Sequence, residues 1–219
     1  MRTNQDYKNA ALVALKGNWA KAVLATLAMM AVIYIFAAPY MATAMTVAAG
    51  NESQILGSFG IYFLALILLY APMVVGYFNA TAALAREGDN RVTYNTFYGT
   101  FHPYGKNVWA MFLYGLFTTL WSFLFIIPGI IKSFAYAMTP YIVKDFPELT
   151  ANQAIDLSCK MMKGHKFDLF WLILSFIGWA ILNVFTFGIG TLWLYPYIFT
   201  TMAGFYEDVK NEYLAKQNN

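Results

Sequence analysis

Charge is what this chain has least of: 14 Lys and Arg and 11 Asp and Glu among 219 residues, or 11%, against roughly 25% in soluble globular proteins. With 60% hydrophobic and 19% aromatic residues, a globule of this size has more apolar surface than it can hide from water, which excludes a soluble fold. Cysteine occurs once, at Cys159, excluding an intramolecular disulfide and any cysteine-rich metal site. In its charged stretch it reads as a reduced cytoplasmic thiol. Histidine occurs twice, at His102 and His165, in different polar stretches and without HExxH spacing, so no metal site is indicated. A net charge of +3 is too small to point to nucleic acid.

What is abundant is long apolar sequence. Residues 22–85 carry only Glu52, residues 107–143 only Lys132, and residues 169–206 no charge at all. Between them lie polar islands at 1–21, 86–106 and 144–168, with a tail at 207–219. Each apolar block is long enough for two crossings of a hydrocarbon core about 30 Å thick. The expected fold is therefore an all-α polytopic membrane helix bundle, a single domain over 1–219. It has about six transmembrane helices in three hairpins at about 22–85, 107–143 and 169–206, plus short juxtamembrane amphipathic helices. All islands and both termini then share one side, which holds 13 of the 14 basic residues; the positive-inside rule makes it the cytoplasm. Ala42-Thr43-Ala44 mimics a signal cleavage site, but the apolar run 22–49 is about twice the 7 to 15 residues of a signal core, so a retained span is expected.

Internal turns divide the blocks. Ala49-Gly50-Asn51-Glu52-Ser53 separates the first two runs. Pro128-Gly129 is a turn dipeptide giving helices 107–127 and 130–143, the second either a full crossing or a re-entrant segment. Thr186-Phe187-Gly188-Ile189-Gly190 divides the third block.

Each hairpin opens on a similar signal: Lys16-Gly17-Asn18-Trp19, Gly105-Lys106-Asn107-Val108-Trp109 and Lys163-Gly164-His165-Lys166-Phe167. Each return run holds one proline, Pro72, Pro140 or Pro196. These are marks of a threefold internal repeat, or of membrane hairpins in general, in which Trp19 and Trp109 sit at the interface. Thr150-Ala151-Asn152-Gln153 fits a capping box, and Gly164 supplies a helix stop. Ile155, Leu157, Met161 and Met162 face one side, with Asp156 and Lys160 an i,i+4 pair on another. This predicts an amphipathic helix over 150–163, lying on the membrane surface or on the bundle. Residues 5–16, with Tyr7, Leu12 and Leu15 apolar, suggest a second such helix, and Tyr94 to Tyr98 part of a third.

The run Ile127-Pro128-Gly129-Ile130-Ile131-Lys132-Ser133-Phe134-Ala135-Tyr136, then Thr139-Pro140-Tyr141-Ile142, Ala154-Ile155-Asp156-Leu157-Ser158 and Met161-Met162-Lys163-Gly164-His165-Lys166, resembles a bacterial membrane family catalogued as domain of unknown function 975. Leu174-Ser175-Phe176-Ile177-Gly178-Trp179 and Thr186-Phe187-Gly188-Ile189-Gly190 fit the same pattern. The resemblance implies a bacterial cytoplasmic (inner) membrane location and brings no reaction, cofactor or catalytic residue. More distantly, the repeated hairpins are similar to membrane domains attached to some glycerophosphodiester phosphodiesterases; no soluble phosphodiesterase domain is present here, so that activity is not implied.

Catalytic signals fail one by one. Five residues separate Gly99 from Gly105 where a phosphate loop needs four, and Asn107 stands where it needs Ser or Thr. Ser122, Ser133 and Ser175 have no His and carboxylate nearby in sequence. No catalytic residue, cofactor or metal is expected, and the protein reads as a non-enzyme. The functional leads are polar residues inside apolar blocks. Lys132 either snorkels to the outer headgroups or faces the bundle to bind an anionic headgroup or substrate. Asn79 and Asn183 are expected to hydrogen-bond between helices. The expected function is binding of lipid or another amphiphile, or modulation of membrane protein partners, self-association included. The alternative is a small transporter or channel built around proline-kinked helices.

Overall fold

The computed structural model describes residues 1–47, 60–64, 66–87, 104–124 and 126–217. The first inter-helix turn, Tyr94 to Tyr98 and His102 lie outside the described residues. Among the described residues the chain is all-helical, with no strand. In chain order the helices are α1 (Asn4–Leu15), α2 (Trp19–Val47), α3 (Ala71–Glu87, entered through a π-helical turn at Leu66–Tyr70), α4 (Tyr104–Leu124) and α5 (Ile126–Tyr136). There follow α6 (Thr139–Asp145), α7 (Ala151–Met161), α8 (Lys166–Leu174), α9 (Ile177–Phe185) and α10 (Thr191–Gln217).

Among the described residues, three stretches are long and apolar enough to cross a membrane: Trp19–Met45, Gly60–Arg86 and Lys166–Phe185. No side chain of α9 is buried, and Phe185 and Phe187 are 76% and 97% exposed. An apolar exterior of this kind suits lipid, not water.

Where the sequence predicts single long helices, the structure often has broken ones. Pro128-Gly129 is not a turn but lies within α5, because Pro128 is accommodated in the first turn of that helix, where its missing N–H has no intrahelical partner to lose. Gly129 then faces α4 so closely that a Cβ would lie 2.7 Å from Ser122 Cα. The expected return helix 130–143 is interrupted at Ala137-Met138, with Pro140 in the first turn of the next helix. In the third hairpin the run ahead of the expected turn over 186–190 is itself broken at Ser175-Phe176. Conversely, 207–217 is no loose tail but the second half of α10. Pro72 and Pro140 open helices, whereas Pro196 lies inside one.

The breaks are sealed by the two amphipathic helices. Lys8, on α1, donates from Nζ to Ser175 O at 2.7 Å and lies 4.4 Å from the Phe176 ring. A cation at this carbonyl end of α8 is favourable. On α7, Ser158 donates from Oγ to Ala135 O at 2.8 Å and accepts from Met138 N at 3.2 Å, satisfying both sides of the α5–α6 break.

The likeness of α1 and α7 extends to their caps. Thr3 and Asp6 form a capping box, as do Thr150 and Gln153. Gly17 and Gly164 follow Thr3 and Thr150 at the same interval, with φ of 87° and 97°. Tyr7, Lys8, Ala11 and Leu15 occupy the same places after the cap as Ala154, Ile155, Ser158 and Met162, and all eight are buried. Gly105, by contrast, sits within α4, so the second hairpin opens differently. The α7 cap is testable: Thr150→Ala removes the hydroxyl that accepts from Gln153 N and should lower local stability by about 1 kcal/mol, read as faster amide exchange at the start of α7.

Candidate functional site

Three return helices, α3, α6 and α10, converge on an aromatic cluster. Phe78 meets Tyr141 and Phe199 edge-on at 4.8 and 4.9 Å, and Tyr141 stacks on Tyr206 at 4.7 Å. Beside it the same helices bring four charges together. Asp145 Oδ2 accepts from Arg86 Nη2, from Lys210 Nζ at 2.9 Å and from Tyr206 Oη at 2.8 Å. Glu207 Oε1 accepts from Arg86 Nε at 2.6 Å and from Lys210 Nζ at 3.1 Å. Two cations and two anions balance. Burial pushes the Asp145 carboxyl up, but its bonds to Arg86 and Lys210 outweigh that and hold it below the ordinary carboxylate value. This junction went unseen in the sequence, where the charges served only to orient the chain. Its signal was the placement of Arg86, Asp145 and Glu207, each at the polar end of a return run.

A second polar group surrounds the start of α1. Arg2 grips Asp208 on α10 through Nε at 2.9 Å and Nη2 at 2.7 Å, and Tyr7 Oη donates to Asp208 at 2.7 Å. Burial raises the Asp208 carboxyl, and the bonds from Arg2 and Tyr7 more than reverse it. His165 stands between two carboxylates, with Nδ1 3.2 Å from Asp168 and Nε2 3.3 Å from Glu212. These carboxylates lie on opposite ring nitrogens, and no group of metal-ligating side chains forms among the described residues. Between α1, α8 and α10 opens a cleft of about 510 Å³ whose lining includes Arg2, Tyr7, His165, Asp168, Trp171 and Phe205. One part of the lining is charged and the other aromatic.

Lys132 is elsewhere. Its Nζ lies 4.8 Å from the Trp121 ring centroid and 5.8 Å from that of Tyr136, a cation–π arrangement. No carboxylate pairs with it among the described residues. Its charge, with that of Lys166, acts to lower the Cys159 thiol, although burial is the larger influence and leaves that thiol raised.

The remaining polar positions separate into tied and untied. Asn183 donates from Nδ2 to Thr191 Oγ1 at 2.8 Å, joining α9 to α10 across the turn where Phe187 and Gly188 adopt φ of 51° and 83°. Asn79 is 8% exposed, and its Nδ2 has no partner among the described residues. Trp109 is half exposed and stacked on Phe112, while Trp19 packs beside Leu15 and Ala22. Pro72, Pro140 and Pro196 are buried in the bundle.

Residues 125–213 match the model of a family described as a protein of unknown function (DUF975), which supports the classification reached from the residues. No curated protein and no solved structure matches the chain. The likeness to phosphodiesterase-linked membrane domains therefore has no match behind it.

Proposed function

We propose that this chain is a non-enzymatic integral membrane protein of a bacterial inner membrane that binds an amphiphile at the membrane interface. The observation that carries the reading is the cleft between α1, α8 and α10. Its charged side, with Arg2, His165 and Asp168, suits a polar headgroup; its aromatic side, with Tyr7, Trp171 and Phe205, suits the adjoining chain. It lies at the start of the apolar stretch Lys166–Phe185, where a lipid crosses from polar to apolar surroundings.

In this reading the chain makes six crossings in three hairpins, with the islands and both termini cytoplasmic. Support comes from hairpin 107–143, whose two ends meet: Lys106 Nζ donates to Pro147 O at 2.6 Å and to Phe146 O at 3.3 Å. Trp171 is 55% exposed, so its truncation should spare the fold. Trp171→Ala should reduce co-purified amphiphile, identified by mass spectrometry, several-fold. An unchanged profile in a folded variant would remove the cleft as the site.

A small transporter is the second reading, favoured by Pro196 inside α10 beside the aromatic and ionic junction, where α3, α6 and α10 would have to separate to open a path. It predicts that solute passage depends on Arg86 and Asp145, and the amphiphile reading does not.

A further inference from the structure

We propose that His165 is a proton-operated clasp between α8 and α10: the imidazolium ties the two helices together beside the cleft, and the neutral ring lets them part. Its effect on the cleft rests on the amphiphile reading; the clasp itself does not. His165 is the residue ahead of α8, yet its side chain takes no part in capping that helix. The ring lies instead between two carboxylates, with Nδ1 3.2 Å from Asp168 of α8 and Nε2 3.3 Å from Glu212 of α10. A neutral imidazole has one N–H, so in either tautomer one carboxylate oxygen faces a ring lone pair; the imidazolium donates to both. The ring therefore joins the helices fully only in its charged form. Histidine is the side chain that changes charge between about pH 5 and 8.

The neighbouring charges do not replace it. Asp208 and Glu212, four residues apart, share one face of α10. Asp208 is gripped by Arg2 and by the Tyr7 hydroxyl, and a guanidinium keeps its charge throughout that range. Glu212 also accepts from Lys216 Nζ at 2.6 Å, but Lys216 is one turn further along the same helix and ties α10 only to itself. Chiefly that bond, with His165 contributing, holds the Glu212 carboxyl below its ordinary value, so it stays an anion while the ring changes charge. On α7, Lys160 is paired with Asp156 at 2.7 Å, and no lysine pairs with Asp168 among the described residues. Two walls of the cleft thus meet α10 by different means: α1 through a permanent cation, α8 through a titratable one. Because His165 and Asp168 both line the cleft, releasing the clasp frees one wall and weakens the hold on an amphiphile.

The test compares the detergent-purified full chain at about pH 5.5 and about pH 8, with lysophosphatidylcholine as the probe because its headgroup keeps the same charge at both. Amide protection in the carboxy-terminal part of α10, taken at each pH relative to free-peptide exchange, should fall about three-fold from the lower pH to the higher, the scale of an ion pair partly open to water. Retained probe, measured by mass spectrometry after detergent exchange, should fall with it. His165→Gln, which leaves Arg2 and the Met1 amino group in place, should give the lower protection at both pH values. His165→Arg, a permanent cation, should give the higher at both. Glu212→Gln, at a side chain 36% exposed, should flatten the pH response without threatening the fold, and Asp156→Asn on α7 should leave it intact. Protection that ignores pH in the unsubstituted chain, or an undiminished pH response in His165→Gln, would overturn the clasp; retention that stays level while protection falls would overturn its link to the cleft. The two readings fail separately. Protection that follows pH beside a probe that is never retained would sink the cleft and spare the clasp, and a probe retained while protection ignores pH would do the reverse.

Discussion

Asp145→Ala should destabilise the bundle by about 2 to 4 kcal/mol, below the 3 to 5 typical of breaking a fully buried ion pair because the site is partly open to solvent. The loss comes from what remains. Arg86 and Lys210 would keep only Glu207 between them, and Tyr206 would lose its acceptor. Replacing all four charges at once by apolar residues of similar size should cost far less, since no unmatched charge is then left behind. The pH dependence has a fixed sign. Asp145 and Asp208 are held below 3.8, so their stabilisation is complete above that value and is lost as pH falls through the folded-state values beneath it. Melting of the purified protein across acidic pH should show a steep decline below about pH 4, shallower in Asp145→Ala. Identical melting and acid profiles in the two proteins would show that the ionic junction contributes nothing.

Gly129→Val should be equally damaging and for a steric reason. Its Cβ would fall 2.7 Å from Ser122 Cα and 3.0 Å from Ser122 N. Backbone cannot rotate away as a side chain can, so α4 and α5 must separate, at a cost of about 3 kcal/mol or more. Ser122→Gly in the same chain removes the Oγ contact but leaves those with the backbone, so rescue should be partial. Gly178→Val, at a glycine with nothing within 4 Å, is the control and should melt close to the unsubstituted protein. Full stability of Gly129→Val would mean that the hairpin is not packed this closely.

What could be read from the sequence was whatever a local rule determines. The Thr150 cap, the Gly164 stop and the turn over 186–190 all appear where side-chain and glycine chemistry place them. The helix breaks at Ala137-Met138 and Ser175-Phe176 have no such marker. They become affordable only because Ser158 and Lys8 arrive from other helices to satisfy the freed groups. The amino-terminal cleft was illegible for the same reason, since Tyr7, Trp171 and Phe205 come from three helices. Lys132 was visible as an isolated charge, but the rings of Trp121 and Tyr136 that hold it depend on α4 and α5 meeting at Gly129.

The packing of α1 against α10 also sets an order of events during synthesis. Arg2 and Asp208 lie 206 positions apart, and α10 is the last of the described helices to leave the ribosome. Until then α1 has no partner for Tyr7, which ends against Phe205 at 5.8 Å. During that interval the amphipathic first helix has the bilayer surface as its available apolar neighbour, and nascent chains stopped before residue 191 should hold it there.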